Sequence, residues 1–202
     1  MSKIDFKKEF KELYSSKKDK VSFIDVPKLK YLSIEGKGDP NTAQEYQDAI
    51  ETLMSVSFKT KFIMKKEYDK DYVVMPLEGL WYADNMDDFV TDNKSNWKWN
   101  SLIMQPDFIK KEHINQAIDD AIQKKDLNSI KKLKFIKLNE GLSAQIMHIG
   151  PFSNESSTVE KLHNSIKDND YSFNGLHHEI YLSDIRRSKP EKLRTIIRQP
   201  IK

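Results

Sequence analysis

The sequence predicts an α+β fold made of two pseudo-symmetric strand-helix-strand-strand repeats with antiparallel strands. The same order of elements, a strand, a glycine turn, a helix, a strand, a loop and a strand, occurs twice in 202 residues. Each copy also ends on Gln-Pro, at Gln105-Pro106 and Gln199-Pro200. A spacing of about one hundred residues is too long for a solenoid repeat, so the halves should pack as one domain with a ligand cleft between them.

The composition favours a single domain that folds without disulfide bonds. The chain has no cysteine, which excludes disulfides and thiolate metal sites. Its 34 basic and 31 acidic residues leave a net charge of +3, which gives no argument for a nucleic-acid partner or an anionic membrane. The segment Met1–Lys20 lacks an apolar signal region, and no apolar run approaches the roughly 18 residues of a membrane span. We therefore expect a cytoplasmic protein.

The N-terminal residues predict a helix laid on the main body. Phe6, Phe10 and Leu13 recur at helical spacing within Asp5–Tyr14, and a polar turn follows at Ser15–Lys20. We expect one domain over residues 1–202, with a helical extension at 1–27, the first repeat at 28–107 and the second repeat at 134–202.

The first repeat opens with a strand and a capped helix. Apolar residues alternate from Leu29 to Gly36, which predicts a half-buried strand that ends in a glycine turn. Asp39 is expected to cap the following helix, and Pro40 suits its first turn. Further strands are predicted within Tyr72–Tyr82 and Lys98–Gln105, with an acidic loop at Asp84–Asn96 between them.

A second helix and the second repeat follow. The helix is predicted over Phe108–Lys124, and its lysine-rich continuation to Lys134 as a surface connection. The second repeat begins with a strand at Ser143–Ile149, and a capping box over Ser157–Glu160 predicts the start of its helix. Two more strands, His178–Leu182 and Leu193–Ile201, flank a basic loop at Ser183–Glu191.

Three chemically active side chains alternate near the start of the strand around Glu179. Residues two apart share a face of a strand, so His177, Glu179 and Tyr181 should point together while His178 points away. A carboxylate in an apolar cleft attracts a cation or serves as a general base. The alternative is an exposed strand face with solvated polar residues, and the residue pattern leaves both open.

Three tryptophans, Trp81, Trp97 and Trp99, lie within nineteen positions. They could form an aromatic wall for a flat or cationic ligand, or simply pack in the core. No metal site is expected, because His177 and His178 should face opposite sides and the other histidines are scattered. Gly36-Lys37-Gly38 lacks the phosphate-loop pattern, and no cofactor is expected.

Several segments together resemble the GyrI-like small-molecule-binding family, the effector-binding domain of multidrug-sensing regulators. The resemblance covers nearly the whole chain and is carried by residues 34–40, 76–81, 105–108, 148–151 and 177–184. It implies two repeats, a cleft between them and a buried glutamate that meets cationic aromatic ligands. Only about 27 residues precede the first strand, too few for a helix-turn-helix unit, so a free-standing member is expected.

The resemblance implies two functions that use the same residues, and it leaves the enzymatic character open. One is a module that binds hydrophobic, planar or cationic molecules through Trp81, Trp97, Trp99 and the His177, Glu179 and Tyr181 face. The other is a hydrolase that opens the cyclopropane of DNA-alkylating compounds, with Glu179 activating water and Tyr181 supplying a hydrogen bond. A module that binds a large enzyme is the weaker third option, since no exposed apolar patch can be recognised; any protein partner stays unknown.

Overall fold

The strands and helices belong to two structural units. Residues 1–6 and 29–138 form unit 1, and residues 7–28 and 139–202 form unit 2. The structure is a computed structural model that describes residues 3–85 and 93–202. In chain order the elements are α1 (Phe6–Glu9), α2 (Lys11–Tyr14), β1 (Ser22–Val26), β2 (Leu29–Lys37), α3 (Gln44–Glu67), β3 (Leu77–Tyr82), β4 (Lys98–Gln105), α4 (Lys111–Ile122), β5 (Lys134–Leu138), β6 (Gly141–Ile149), α5 (Ser156–Asp168), β7 (His177–Tyr181) and β8 (Arg194–Pro200).

Unit 1 is an antiparallel sheet in the order β3-β4-β2-β5, covered by α3, which also packs on α4. Gly36 of β2 pairs with Trp99 of β4, and the indole lies against the glycine. A Cβ at Gly36 would come 2.3 Å from the Cη2 of Trp99, so the ring occupies the space of the missing side chain. Trp99 is fully buried, and this glycine is therefore required by core packing.

Unit 2 is an antiparallel sheet in the order β1-β6-β8-β7, with α5 packed on β6. The apolar face of α5 meets inward-facing strand residues in one core cluster: Ala144, Ile146, Leu162, Ile166, Ile197 and Ile201. The N-terminal residues are part of this unit, because β1 pairs with β6 and the Met147 N–H donates to the Lys17 carbonyl. Burial of this face stabilises α5 far more than its intrinsic propensity does.

The two units repeat one topology, as the sequence predicts. In both repeats the last of three strands pairs with the first strand on one side and with the second strand on the other. The registers match as well when the two Gln-Pro ends are aligned. Ile103, two residues before Gln105, lies opposite Leu77, and Ile197, two residues before Gln199, lies opposite Glu179. Leu77 in unit 1 therefore occupies the position of Glu179 in unit 2.

Two strands are absent from the sequence-based expectations, and one expected strand is shorter. β1 precedes the first repeat, and β5 follows the expected lysine-rich connection; in the described part of the chain each pairs with one strand, at a sheet edge. The strand expected from Tyr72 begins only at Leu77, directly after Pro76, which has no N–H to donate. Part of the expected acidic loop, residues 86–92, lies outside the described residues.

No helix in the described part of the chain is long and apolar enough to cross a membrane.

Two predicted helix caps are also wrong. The Asp39 carboxylate accepts the N–H of Asn41 (2.9 Å) and closes a turn, so α3 begins only at Gln44. The predicted capping box at Ser157 is absent. Instead α5 begins at Ser156, and the residue before it, Glu155, makes no side-chain capping bond.

Candidate functional site

Strand β7 presents two chemically different faces. Its burial alternates along the strand: His177, Glu179 and Tyr181 are half-buried, whereas His178 and Ile180 are fully buried. The register gives the same result, since Glu179 lies opposite Ile197 of the α5-facing core and His178 lies opposite Arg198. The structure therefore brings His177, Glu179 and Tyr181 to one face, on the side of the sheet covered by α5.

The carboxylate of Glu179 is held between its two strand neighbours. The Tyr181 hydroxyl donates to Oε2 at 2.7 Å, and the His177 Nε2 lies 3.2 Å from Oε1. The Glu179 side chain keeps 15% of its exposure. A carboxyl group held by two partners has little rotamer freedom left to lose when a further group approaches its open side.

Aromatic and imidazole rings lie beside this face. The Phe152 ring, in the turn that precedes α5, meets Tyr181 edge-on with centroids 5.7 Å apart. The His163 ring of α5 lies tilted against the Phe173 ring, with centroids 4.6 Å apart. Burial, followed by the nearby charge of His177, lowers the pKa of His163. The Phe152 ring thus adjoins the phenol that donates to Glu179, and an apolar ring lies next to the charged group.

A second carboxyl group, that of Glu155, was missed by the sequence analysis. Glu155 is 8% exposed and has the Thr195 side chain as a hydrogen-bond partner. Burial, together with the negative charge of Glu179, raises the pKa of Glu155 to about 9. No local pattern marks this residue, because in sequence it belongs to an ordinary polar loop. Its role depends on contacts with strands that follow it in the chain.

The opposite face of β7 carries a buried polar network. Arg198 donates to the Oε2 of Glu140 (3.1 Å), to Gln145 and to the Leu13 carbonyl, and His178 Nδ1 lies 2.9 Å from the Oε1 of Glu140. Burial alone would raise the pKa of Glu140, but the charges and hydrogen bonds of His178 and Arg198 outweigh it and hold that pKa at about 2. The network joins α2, β6, β7 and β8, so it supports the site from behind.

The three tryptophans lie in unit 1. Trp99 is fully buried, Trp81 is 7% exposed and Trp97 is half-buried. Trp81 meets Trp97 edge-on at 5.9 Å, and Tyr46 of α3 approaches both Trp81 and Trp99. Trp97 precedes β4 rather than lying in it. The cluster is part of the core of unit 1 with Trp97 at its accessible margin, and its role as a wall for a ligand stays a prediction.

Within residues 3–85 and 93–202, no three histidine or carboxylate side chains lie close enough together to hold a metal ion. The polar groups of the site bind one another instead, as in the contacts of Glu179 with His177 and Tyr181. The side chains gathered there are carboxyl, phenol and imidazole groups.

Comparisons with known proteins find similar solved structures and one matching family profile. The chain is 38% identical to an uncharacterized conserved protein from Listeria innocua, covering 99% of this chain and 100% of that one, with a TM-score of 0.91. A hydrolase from Listeria innocua is 37% identical over the full length of both chains, with a TM-score of 0.87. The EcmrR C-terminal domain shares the fold at 12% identity, with a TM-score of 0.58 over 91% of this chain and 97% of that one. No curated protein matches significantly. The profile of the GyrI-like small molecule binding domain matches residues 19–202, and the chain belongs to this family.

Proposed function

We propose that this chain binds hydrophobic, planar or cationic small molecules at the β7 face that carries Glu179. The observation that carries the proposal is the fixed, partly accessible carboxylate, held at 2.7 Å by Tyr181 and at 3.2 Å by His177. Family membership supports small-molecule binding in general. The negative charge and the neighbouring ring of Phe152 favour a ligand that combines an apolar plane with a positive charge.

The repeat supports the choice of unit 2. By register, Leu77 in unit 1 occupies the position of Glu179, and Gly79, opposite Ser101, occupies that of Tyr181, opposite Thr195. Neither leucine nor glycine offers a charge or a hydroxyl. The acid and the phenol are therefore additions to a shared framework, which is typical of a functional site rather than of a folding requirement.

The test compares a cationic and a neutral planar dye on two variants. Rhodamine 6G carries a fixed positive charge, and Nile red is neutral. Glu179→Gln keeps the side-chain volume and removes the charge, so we expect rhodamine 6G to bind about 5- to 30-fold more weakly. This corresponds to the loss of about 1–2 kcal/mol from a desolvated charge pair. Nile red should bind unchanged.

Glu160→Gln, an equal charge change on the exposed side of α5, is the matched control and should bind both dyes like the wild type. Fluorescence anisotropy titrations at constant ionic strength measure all these affinities. Equal rhodamine 6G affinity of the wild type and Glu179→Gln would remove Glu179 from the ligand site.

A second candidate function is hydrolysis of a strained cyclopropane in a DNA-alkylating compound. It is favoured by the hydrogen bond from Tyr181 to Glu179 and by the 37% identity to a protein named a hydrolase. Glu179 would take a proton from a water molecule while the oxygen of that water adds to the electrophilic ring carbon. The ring C–C bond breaks, its electron pair moves into the conjugated carbonyl, and a proton from Tyr181 or water completes the product.

Mass spectrometry of a cyclopropane-bearing alkylator incubated with the pure protein tests this function. The expected product is heavier by one water, and Glu179→Gln should lose turnover while it still binds the neutral substrate. Substrate recovered intact from the wild-type protein would reject the hydrolase and leave the binding function standing.

A further inference from the structure

A second acid shares the face of Glu179 but is absent from the predicted site. Glu155 precedes α5 and contacts Thr195 of β8. Thr195 lies directly opposite Tyr181 on one side and His148 on the other. The carboxyl group of Glu155 therefore lies above the middle strand of the site, close enough for the charge of Glu179 to act on it.

The side chain of Glu155 has an unused polar atom. Among the described residues, its buried Oε1 has no hydrogen-bond partner. Buried polar atoms are nearly always paired, so an unpaired one within a candidate site points to a missing ligand or water. The residue itself is more than nine-tenths buried.

The surroundings of Glu155 favour its neutral form in the empty site. Glu179 acts on it electrostatically, and the register places Tyr181 of β7 and His148 of β6 on either side of its partner Thr195, with His177 bonded to Glu179. His148 is engaged by the Thr158 hydroxyl (3.0 Å) and the Pro151 carbonyl (3.2 Å). Burial and the charge of Glu179 raise the pKa of Glu155 to about 9, as for two carboxyl groups that cannot easily ionise together.

We propose that Glu155 is a second acidic residue of the ligand site, which releases its proton when a ligand with a fixed positive charge binds beside Glu179. The inference rests on the proposed function. The positive charge stabilises both carboxylates, the O–H bond of Glu155 breaks, and the proton passes to solvent. A neutral amine would instead take this proton and become the cation itself, with no net release. The ligand class is thus permanent cations and weakly basic amines.

Proton release fixes the direction of the pH dependence. Because a fixed cation competes with a proton, its affinity should rise with pH while Glu155 is protonated in the empty site, by up to about tenfold per pH unit. The rise should stop near the pKa of about 9. Charge screening does not produce this dependence when ionic strength is held constant.

The experiment measures rhodamine 6G affinity at pH 6, 7 and 8 for three proteins. The wild type should bind several-fold more tightly with each pH unit. Glu155→Gln, which has no proton to release, should show the same affinity at all three values. Glu160→Gln, exposed on α5, should follow the wild type. In addition, mixing dye with weakly buffered wild-type protein at pH 7 should release close to one proton per bound dye.

The outcomes separate this inference from the proposed function. Tight dye binding by the wild type with a flat pH profile and no released proton would overturn the role of Glu155 and leave the function intact. A pH slope that persists in Glu155→Gln would overturn it too. Absence of dye binding at every pH would reject the proposed function, and the role of Glu155 with it. The proton measurement uses the wild type alone, so it decides even if the variant fails to fold.

Discussion

Among the residues of unit 2, Glu140 is the one whose replacement should destabilise the unit most. It contacts His178, on the face of β7 opposite Glu179. Its pKa is lowered from 4.5 to about 2, which corresponds to about 3 kcal/mol of stability near neutral pH. Removing one partner of a buried charge pair costs about 3–5 kcal/mol, because the other charge stays buried. Arg198 is 1% exposed, so this applies here. We expect Glu140→Gln to lower the free energy of unfolding by about 3 kcal/mol at pH 7.

Urea denaturation followed by circular dichroism measures the effect, with Glu160→Gln as the control for loss of a surface charge. A carboxylate with a depressed folded-state pKa stabilises the fold above its unfolded value and loses this contribution as pH falls through the folded value. The difference between wild type and Glu140→Gln should therefore shrink by roughly half at pH 3. A loss below about 1 kcal/mol at pH 7, or a difference that does not change with pH, would refute the assignment of a buried, charge-paired Glu140.

Three further predictions follow from other parts of the chain. Gly36→Ala should destabilise unit 1 by about 2–4 kcal/mol and change the near-UV circular dichroism, because its Cβ would come 2.3 Å from the Trp99 ring; an unchanged spectrum and urea midpoint would contradict this packing. Rhodamine 6G should quench tryptophan fluorescence less in Trp97→Phe than in the wild type. Equal quenching in the two proteins would exclude Trp97 from the predicted aromatic wall. Glu155→Gln should flatten the pH dependence of unfolding between pH 5 and 8. A raised folded-state pKa gives stability that is present below the unfolded value and lost as pH rises toward about 9, so an unchanged slope would contradict the raised pKa.

The faces of β7 could be predicted because they depend only on local geometry. The two-residue period of a strand suffices to bring Glu179 together with Tyr181 and to turn His178 away. The repeated topology was equally accessible, since each copy carries its own glycine turn and its own Gln-Pro end in the same order. What was predicted well is therefore what neighbouring residues determine.

The missed residues depend on distant parts of the chain. Glu140 and Arg198 are separated by 58 positions, and neither lies in a recognisable motif. Glu155 acquires its properties from Glu179 and Thr195, which follow it by tens of residues. The two wrong caps have a different cause, because short polar side chains bond to turns as readily as to helix ends, and only the packing of the helix decides between them.

The buried network and the ligand face depend on each other through the register of β7. Shifting β7 by one residue would exchange its faces, so that His178 would leave Glu140 and Glu179 would enter the buried side. Either change would put an uncompensated charge in the protein interior, which costs several kcal/mol. With an apolar face behind β7, the shift would still bury Glu179 but would break no existing charge pair, so its penalty would lack the contribution of the network. The polar network therefore favours the single register in which Glu179 lies on the side of the sheet covered by α5, and we expect variants that weaken the network to disturb the proposed ligand binding as well as stability.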